Sequence, residues 1–243
     1  MAKAPARLIE PSCSFLKIFS ISAICGLKLL EIFSSQCIIY MQQVKFFIRI
    51  FFNMSENSAS VLRKACFFDR DGVANVEVDY LHEVEKTVLE QGFAEAVKLA
   101  HDNGYLAIII TNQAGIARGK FPIEDLYKVH DRIKELLAEQ GTGLDAIYFC
   151  PHHPDVNGEC GCRKPAPGMI LKAAEEWNID LSQSLMIGDR ITDAQCGKNA
   201  GCKASYIVRT GYGMETLKEY PEPGFPVVNN SYGALCDFLK NQA

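Results

Sequence analysis

The 243-residue chain is long enough for one well-buried α/β domain with an extension, and too short for two large domains. Its 48% hydrophobic content is that of an ordinary globular protein, and its formal charge of -4 offers no broad basic surface for nucleic acid or anionic lipid while leaving room for a local anion pocket. Ten cysteines would mark a disulfide framework in a short secreted chain. Here they are scattered, apart from Cys150, Cys160 and Cys162 beside His152 and His153, a cluster that points to metal ligation in a reducing, cytoplasmic compartment.

Residues 1–53 are rich in Ile, Phe, Leu and Ser, yet Lys17, Lys28, Glu31, Lys45 and Arg49 interrupt every apolar run. None of these runs reaches the roughly 20 apolar residues of a spanning helix, and Ile18 to Leu27, the one passable signal core, leads to no convincing cleavage site. Three readings compete: a membrane-associating amphipathic segment, a cleaved targeting peptide, or translated sequence upstream of a start at Met54. The polar opening Met54-Ser55-Glu56-Asn57-Ser58 favours the last. Residues 1–53 are expected to be a disordered or non-native extension, 54–64 a linker and 65–241 the folded domain, monomeric and without a membrane span.

Lys64 to Phe68 is a short apolar run that ends in Asp69-Arg70-Asp71-Gly72, a strand delivering two carboxylates to an edge, with Gly72 allowing a sharp turn. Asn75 to Lys86 has no sustained periodicity and carries Glu77, Asp79, Tyr80 and His82, so it reads as a short excursion over a site, too small for a cap domain. Ala94, Val97, Leu99 and Ala100 give a helical face that stops at Asn103-Gly104. Tyr105 to Ile110 is a second strand, ending in Thr111-Asn112-Gln113. Pro122 opens a long helix with Ile123, Leu126, Val129, Ile133, Leu136 and Leu137 on one face, ending near Gly141. Asp145 to Cys150, Ser184 to Ile187 and Ala204 to Val208 supply three more strands, Pro226 to Val228 a short sixth, with helices from Pro167 to Asn178, before Asn199-Ala200-Gly201 and at the end. This alternation means a doubly wound, three-layer parallel sheet.

Strands ending in Asp69 and Asp71, in Thr111 and in Asp189 put acids and a hydroxyl where such sheets bind ligands. Two acids from separate strands suit Mg²⁺, a hard cation that takes a couple of carboxylates and leaves its other positions to water and phosphate. Thr192 and Asp193 read as helix N-terminal capping residues and not as ligands. Lys164, in the loop after the cysteine cluster, provides the positive charge that a carboxylate needs before it can approach a phosphate, completing a phosphoryl-transfer set.

Asp69-Arg70-Asp71-Gly72, Thr111-Asn112-Gln113, Lys164-Pro165 and Gly188-Asp189 resemble the four motifs of the haloacid dehalogenase (HAD) superfamily, in its phosphatase branch. Cys150-Pro151-His152-His153-Pro154 with Cys160-Gly161-Cys162-Arg163-Lys164-Pro165 is similar to the zinc loop of the heptose 1,7-bisphosphate and histidinol-phosphate phosphatases, and the likeness runs from about Ala65 to Gly213. The resemblance implies that Asp69 is the nucleophile and Asp71 the acid and base, with Thr111 and Lys164 stabilising the phosphoryl group. It places Mg²⁺ on Asp69, Asp71 (through its backbone carbonyl) and Asp189, and a structural Zn²⁺ on Cys150, His152, Cys160 and Cys162. Glu77, Val78, Asp79, Tyr80, Asn112, Gln113, Arg163 and Arg190 would meet the rest of the substrate. The expected activity is removal of the 7-phosphate from a phosphorylated heptose. Histidinol phosphate is the alternative substrate, and an inactive, zinc-stabilised scaffold the alternative of another class; a nucleic-acid partner is not expected.

Overall fold

The computed structural model describes residues 61–242, so the reading of residues 1–53 as an extension and of most of 54–64 as a linker lies outside the described residues. Chain order is β1 (Lys64–Phe68), α1 (Phe93–Asp102), β2 (Tyr105–Asn112), the one-turn α2 (Ala114–Ala117), α3 (Ile123–Glu139), β3 (Ala146–Cys150), the one-turn α4 (Pro154–Asn157), α5 (Gly168–Trp177), β4 (Leu185–Gly188), α6 (Ile191–Ala200), β5 (Ala204–Val208), α7 (Gly213–Glu219), β6 (Val227–Val228) and α8 (Ser231–Lys240). The strands form one sheet in the order β3-β2-β1-β4-β5-β6, and every pairing is parallel.

Strict alternation along the central strands divides the core in two. Cys66 and Phe68 of β1, Ala107 and Ile109 of β2 and Ile187 of β4 pack with Val97 of α1, Ile133 of α3 and Leu235 of α8 on one face. Ala65 and Phe67, Ile108 and Ile110, and Met186 pack with Ile170 and Ala173 of α5 and Cys196 of α6 on the other. Both faces are covered, so these strands are near-continuous apolar runs, as parallel sheets require. The three-layer arrangement expected from the sequence is the one observed, and the connection from β1 to α1 contains a single 3₁₀ turn, Val84–Lys86, in place of a cap domain among the described residues.

Two details depart from the sequence reading, and a buried histidine adds a feature on which the sequence reading was silent. β2 continues through Thr111 and Asn112, because these two residues still pair with Phe149 and Cys150 of β3. α7 was not expected; it lacks an apolar stripe and is held by Thr216, whose hydroxyl donates to the backbone carbonyl of Asp189 at 2.9 Å. His130 lies buried on the apolar face of α3, where burial and the Arg70 charge push its pKa down to about 3. An uncharged imidazole is compatible with that face, whereas a charged one would not be.

Phe67 is fully buried between β1 and the α5–α6 layer. Phe67→Ala is expected to destabilise the domain by about 3–5 kcal/mol, whereas Val88→Ala, at a position 56% exposed, should stay within about 0.5 kcal/mol. Urea unfolding followed by circular dichroism measures both; similar small changes at the two sites would contradict the burial of Phe67.

Candidate active site

β1 and β4 lie side by side, but the chain leaves β1 towards β2 on one side and β4 towards β5 on the other. A crevice opens at the carboxyl ends of strands where connections diverge in this way. Asp69 follows β1 and Asp189 follows β4, so each strand delivers one carboxylate into that crevice. Both are buried. A cavity of about 500 Å³ extends outward from Asp69 and is lined by the loops after β1, β2 and β4 and by the cysteine loop.

Lys164 occupies the floor. Its ammonium donates to Asp69 Oδ1 at 2.6 Å, to the Ile110 carbonyl at 2.9 Å and to Asp193 Oδ1 at 2.7 Å, which uses all three N–H groups. Burial opposes the charged form of Lys164, but the carboxylates of Asp193 and Asp69 outweigh it and raise the pKa, so the side chain stays an ammonium. Its backbone is clamped from β2: Asn112 Oδ1 accepts from Lys164 N at 3.0 Å, and Asn112 Nδ2 donates to the Lys164 carbonyl at 3.2 Å. Asn112, expected at the substrate, therefore also fixes the lysine loop.

Asp71 is held from three sides. Arg70, itself buried, forks onto it with Nη2 at 2.7 Å from each carboxylate oxygen; Asn75 Nδ2 lies 3.2 Å from Oδ1, and Gln113 Nε2 2.9 Å from Oδ2. Gln113 also donates to Thr111 Oγ1 at 2.8 Å, so one amide ties the Thr111 hydroxyl to the Asp71 carboxylate. Gly72 makes the crossing beneath them. It adopts φ +78°, and a Cβ there would stand 2.5 Å from Asp189 Oδ2 and 2.7 Å from the Cα of Gly211, so only a glycine lets these backbones close around Asp189.

Asp69, Asp189 and Asp193 bring carboxylate oxygens within 4.8 Å of one another. Burial, with the Asp193 and Asp69 charges, pushes Asp189 up to about 9, and burial raises Asp69 to about 7 although Lys164 pulls the other way. Asp189 Oδ2 accepts from Tyr212 N at 2.7 Å, but Oδ1 is buried with no hydrogen-bond partner. A single lysine does not neutralise three buried acids, and an orphaned carboxylate oxygen among them fits a divalent cation. Both Asp193 oxygens are engaged, one by Lys164 and one by the Arg190 N–H at 2.9 Å, which leaves Asp69 and Asp189 as the acids able to ligate. Asp193 thus does more than the capping read from the sequence: the same carboxylate that closes the first turn of α6 positions Lys164.

The cysteine loop forms a second cluster. Sγ of Cys150, Cys160 and Cys162 lie 3.1–3.6 Å apart, and His152 Nδ1 is 3.6 Å from Cys150 Sγ and 3.4 Å from Cys162 Sγ. Zinc at the usual 2.3 Å from sulfur in a tetrahedral shell separates its ligands by about 3.8 Å, so the donor set fits that ion closely. His153, left out of the set in the sequence, instead lines the main cavity.

Glu77, Val78, Asp79, Tyr80, Asn112, Gln113, Arg163 and Arg190 all line the cavity. Arg190 stacks on Tyr212 at 3.8 Å, and Arg163 Nη1 donates to the His152 carbonyl at 3.2 Å. Glu77 is raised to about 7 by burial and by the Asp71 and Asp69 charges. Arg118, Tyr212, Thr216, Glu219 and Tyr220 also line the cavity without having been expected there, and nothing in Gly115-Ile116-Ala117-Arg118 marks Arg118 as more than a surface arginine.

The raised Asp189 has a consequence for stability. The folded chain keeps a proton that the unfolded chain releases above about pH 4, so this contribution is full at low pH and is lost as pH climbs towards about 9. In chelator-treated protein, Asp189→Asn is therefore expected to raise Tm relative to the parent chain, by more at pH 8.5 than at pH 6. His130, shifted the opposite way, acts below about pH 6.5 and cancels in the comparison. A Tm difference independent of pH, read by differential scanning fluorimetry, would show that Asp189 is not a strained acid.

A family model described as HAD-hydrolase-like matches residues 161–234. The chain is 42% identical over 183 residues to the D-glycero-beta-D-manno-heptose-1,7-bisphosphate 7-phosphatase of Pasteurella multocida (strain Pm70), covering 74% of this chain and 96% of that protein. The protein of the same name from Haemophilus influenzae is 41% identical over 154 residues, covering 62% and 84%. The crystal structure of D,D-heptose 1,7-bisphosphate phosphatase from B. bronchiseptica, complexed with magnesium and phosphate, matches with a TM-score of 0.66 at 34% identity over 73% of this chain and 99% of that one. Such identity over almost the full length of a relative, on a parallel sheet whose crevice carries this acid and lysine cluster, makes the chain a member of the haloacid dehalogenase-like hydrolases, in the family of the heptose-bisphosphate phosphatases.

Proposed function

We propose that the chain hydrolyses a phosphate monoester through a phosphoryl-enzyme on Asp69, and that its substrate is D-glycero-D-manno-heptose 1,7-bisphosphate, from which it removes the 7-phosphate. The observation that carries the chemistry is the Asp69–Lys164 contact of 2.6 Å at the crevice, inside an acid cluster that fits a divalent cation. The substrate is supported by relatives named for that reaction at 41–42% identity.

In this reading Asp69 attacks phosphorus and the sugar oxygen departs, taking a proton from Asp71. Asp71, kept in place by Arg70, Asn75 and Gln113, then removes a proton from the water that cleaves the acyl phosphate. Thr111 and Lys164 contact the transferring oxygens. Mg²⁺, held by Asp69, Asp189 and the Asp71 backbone carbonyl, would neutralise phosphate charge. Zn²⁺ on Cys150, His152, Cys160 and Cys162 would be structural, since four protein ligands close its shell. Residues 65–241 are the catalytic domain, and seven free cysteines among the described residues suit a reducing cytoplasm.

Steady-state kinetics on the heptose bisphosphate and on histidinol phosphate test the substrate; a higher kcat/KM on histidinol phosphate would overturn it. Asp69→Asn is expected to lower kcat at least a thousandfold without change of fold. Asp71→Asn should slow the second step, so that acid quench and mass spectrometry find phosphate on Asp69. Turnover above a few per cent in Asp69→Asn would sink the assignment.

The zinc reading predicts a different split. Lys164 is tethered independently by Asn112, Asp69 and Asp193, whereas Arg163 and His153 depend on the loop itself. Cys160→Ser should therefore lose most of its zinc by elemental analysis and raise KM about tenfold or more, with kcat reduced only severalfold. Full zinc content in that variant would remove Cys160 from the ligand set.

A further inference from the structure

The segment that follows β5 laces the two halves of the cation site together without supplying a ligand to it. Asp69 and the Asp71 peptide come from the end of β1, and Asp189 from the end of β4. Thr210 Oγ1 donates to the Gly72 carbonyl at 2.6 Å, Tyr212 N to Asp189 Oδ2 at 2.7 Å, and Thr216 Oγ1 to the Asp189 carbonyl at 2.9 Å. Between them Gly211 adopts φ +54°, where a Cβ would overlap both Asp189 Oδ2 and the Cα of Gly72. Residues 210–216 thus grip both loops at once.

Each of these bonds fixes something that a cation would feel. The Tyr212 N–H takes one oxygen of Asp189, and the other, Oδ1, is buried without a hydrogen-bond partner, so the carboxylate presents a single free oxygen. Thr216, itself buried, fixes the backbone from which that side chain hangs. A helical threonine ordinarily returns its hydroxyl to the carbonyl one turn back, whereas that of Thr216 reaches Asp189, 27 positions away. On the β1 side the peptide joining Asp71 to Gly72 is planar, so its carbonyl and its N–H point in opposite directions. Gly72 N donates to the Asn75 carbonyl at 2.7 Å and the Gly72 carbonyl accepts from Thr210, so the direction of the Asp71 carbonyl is set from both sides of Gly72.

We propose that Thr210 and Thr216 are positioning residues of the cation site: the clasp they form sets the spacing and direction of the β1 and β4 ligands, and with them the affinity for the divalent cation, although neither side chain is a ligand. The clasp rests on the cation reading given above, with Asp69, Asp189 and the Asp71 carbonyl as ligands. Mg²⁺ demands near-ideal octahedral geometry, so small displacements of its protein ligands weaken it. Groups that orient metal ligands from outside account for about ten- to a hundredfold in affinity. Valine has the shape of threonine without the hydroxyl, so it removes the clasp and little else.

The test titrates the full chain, as purified, with Mn²⁺ in place of Mg²⁺ and reads free Mn²⁺ by electron paramagnetic resonance, which needs no substrate. Thr216→Val and Thr210→Val should each raise the Mn²⁺ dissociation constant about tenfold or more, while Thr216→Ser, which keeps the hydroxyl, should stay within about twofold of the parent. In steady-state assays the Mg²⁺ concentration for half-maximal rate should rise by the same factor, with kcat at saturating Mg²⁺ close to the parent's. Leu235→Ala, in the core under α8, is the control for lost stability and should leave Mn²⁺ affinity unchanged. Asp189→Asn should bind no Mn²⁺. Parent-like affinity in either valine variant, a Thr216→Ser as weak as Thr216→Val, or a loss in Leu235→Ala as large as theirs would overturn the clasp alone. Mn²⁺ held as tightly by Asp189→Asn as by the parent, or not at all by the parent, would overturn the cation reading and the clasp with it.

Discussion

Everything at the carboxyl edge of the sheet depends on one buried ammonium. Lys164 enters from a loop, not from a strand, and taking its charge out of water costs several kcal/mol by itself. Contacts of 2.6 and 2.7 Å to Asp69 and Asp193 and one of 2.9 Å to the Ile110 carbonyl compensate that cost. The arrangement works both ways, since the two carboxylates could not share the crevice with Asp189 without a cation among them. Positive charge there is a condition of folding as well as of chemistry, and the excess of acids over lysine leaves the room that a divalent ion needs.

That constraint accounts for the architecture around it. Asn112 holds the Lys164 backbone by two hydrogen bonds, which explains why β2 must continue through Asn112. Further along the loop the Ala166 carbonyl accepts from Cys196 Sγ at 3.3 Å, and the Pro165 carbonyl from Asn199 Nδ2 at 3.0 Å, so α6 holds the loop from below. The cysteine cluster closes the loop from the outer side. Asp193 belongs to two of these systems at once, capping α6 through the Arg190 N–H while pairing with Lys164. One helix start thus locates both a carboxylate and the cation it faces.

The outer cavity follows a different logic. Among the described residues Arg118 and Arg163 form no salt bridge, and they are supported by a tyrosine hydroxyl, an imidazole nitrogen and a backbone carbonyl. Such anchors fix a guanidinium without a carboxylate to lower its attraction for an anion. The inner site is therefore charge-compensated and buried, while the outer one is poised for a ligand and open. No helix among the described residues is long and apolar enough to cross a membrane, and the cavity opens on the face built by the loops.

The sequence by itself determined the sheet and the inner carboxylates, because both are written in local pattern. Apolar runs of four to six residues that end in Asp69, Thr111 and Asp189 carry strand and site together, and the Cys-x-His and Cys-x-Cys spacing carries a tetrahedral donor set. Tertiary structure alone decided what arrives from far along the chain. Gly211 and Tyr212 close on Asp189 because an unforeseen helix, α7, is held there by Thr216, and that short helix has no periodicity to announce it. Asp193 looked like a cap because its capping bond is local, whereas its contact with Lys164 spans 29 positions and appears only once α6 packs on the loop. Arg118 looked like surface for the same reason: its partners, Tyr80 and His153, lie 38 and 35 residues away. Charge neutralisation acts through space, and a linear pattern records it only where the partners are also neighbours in sequence.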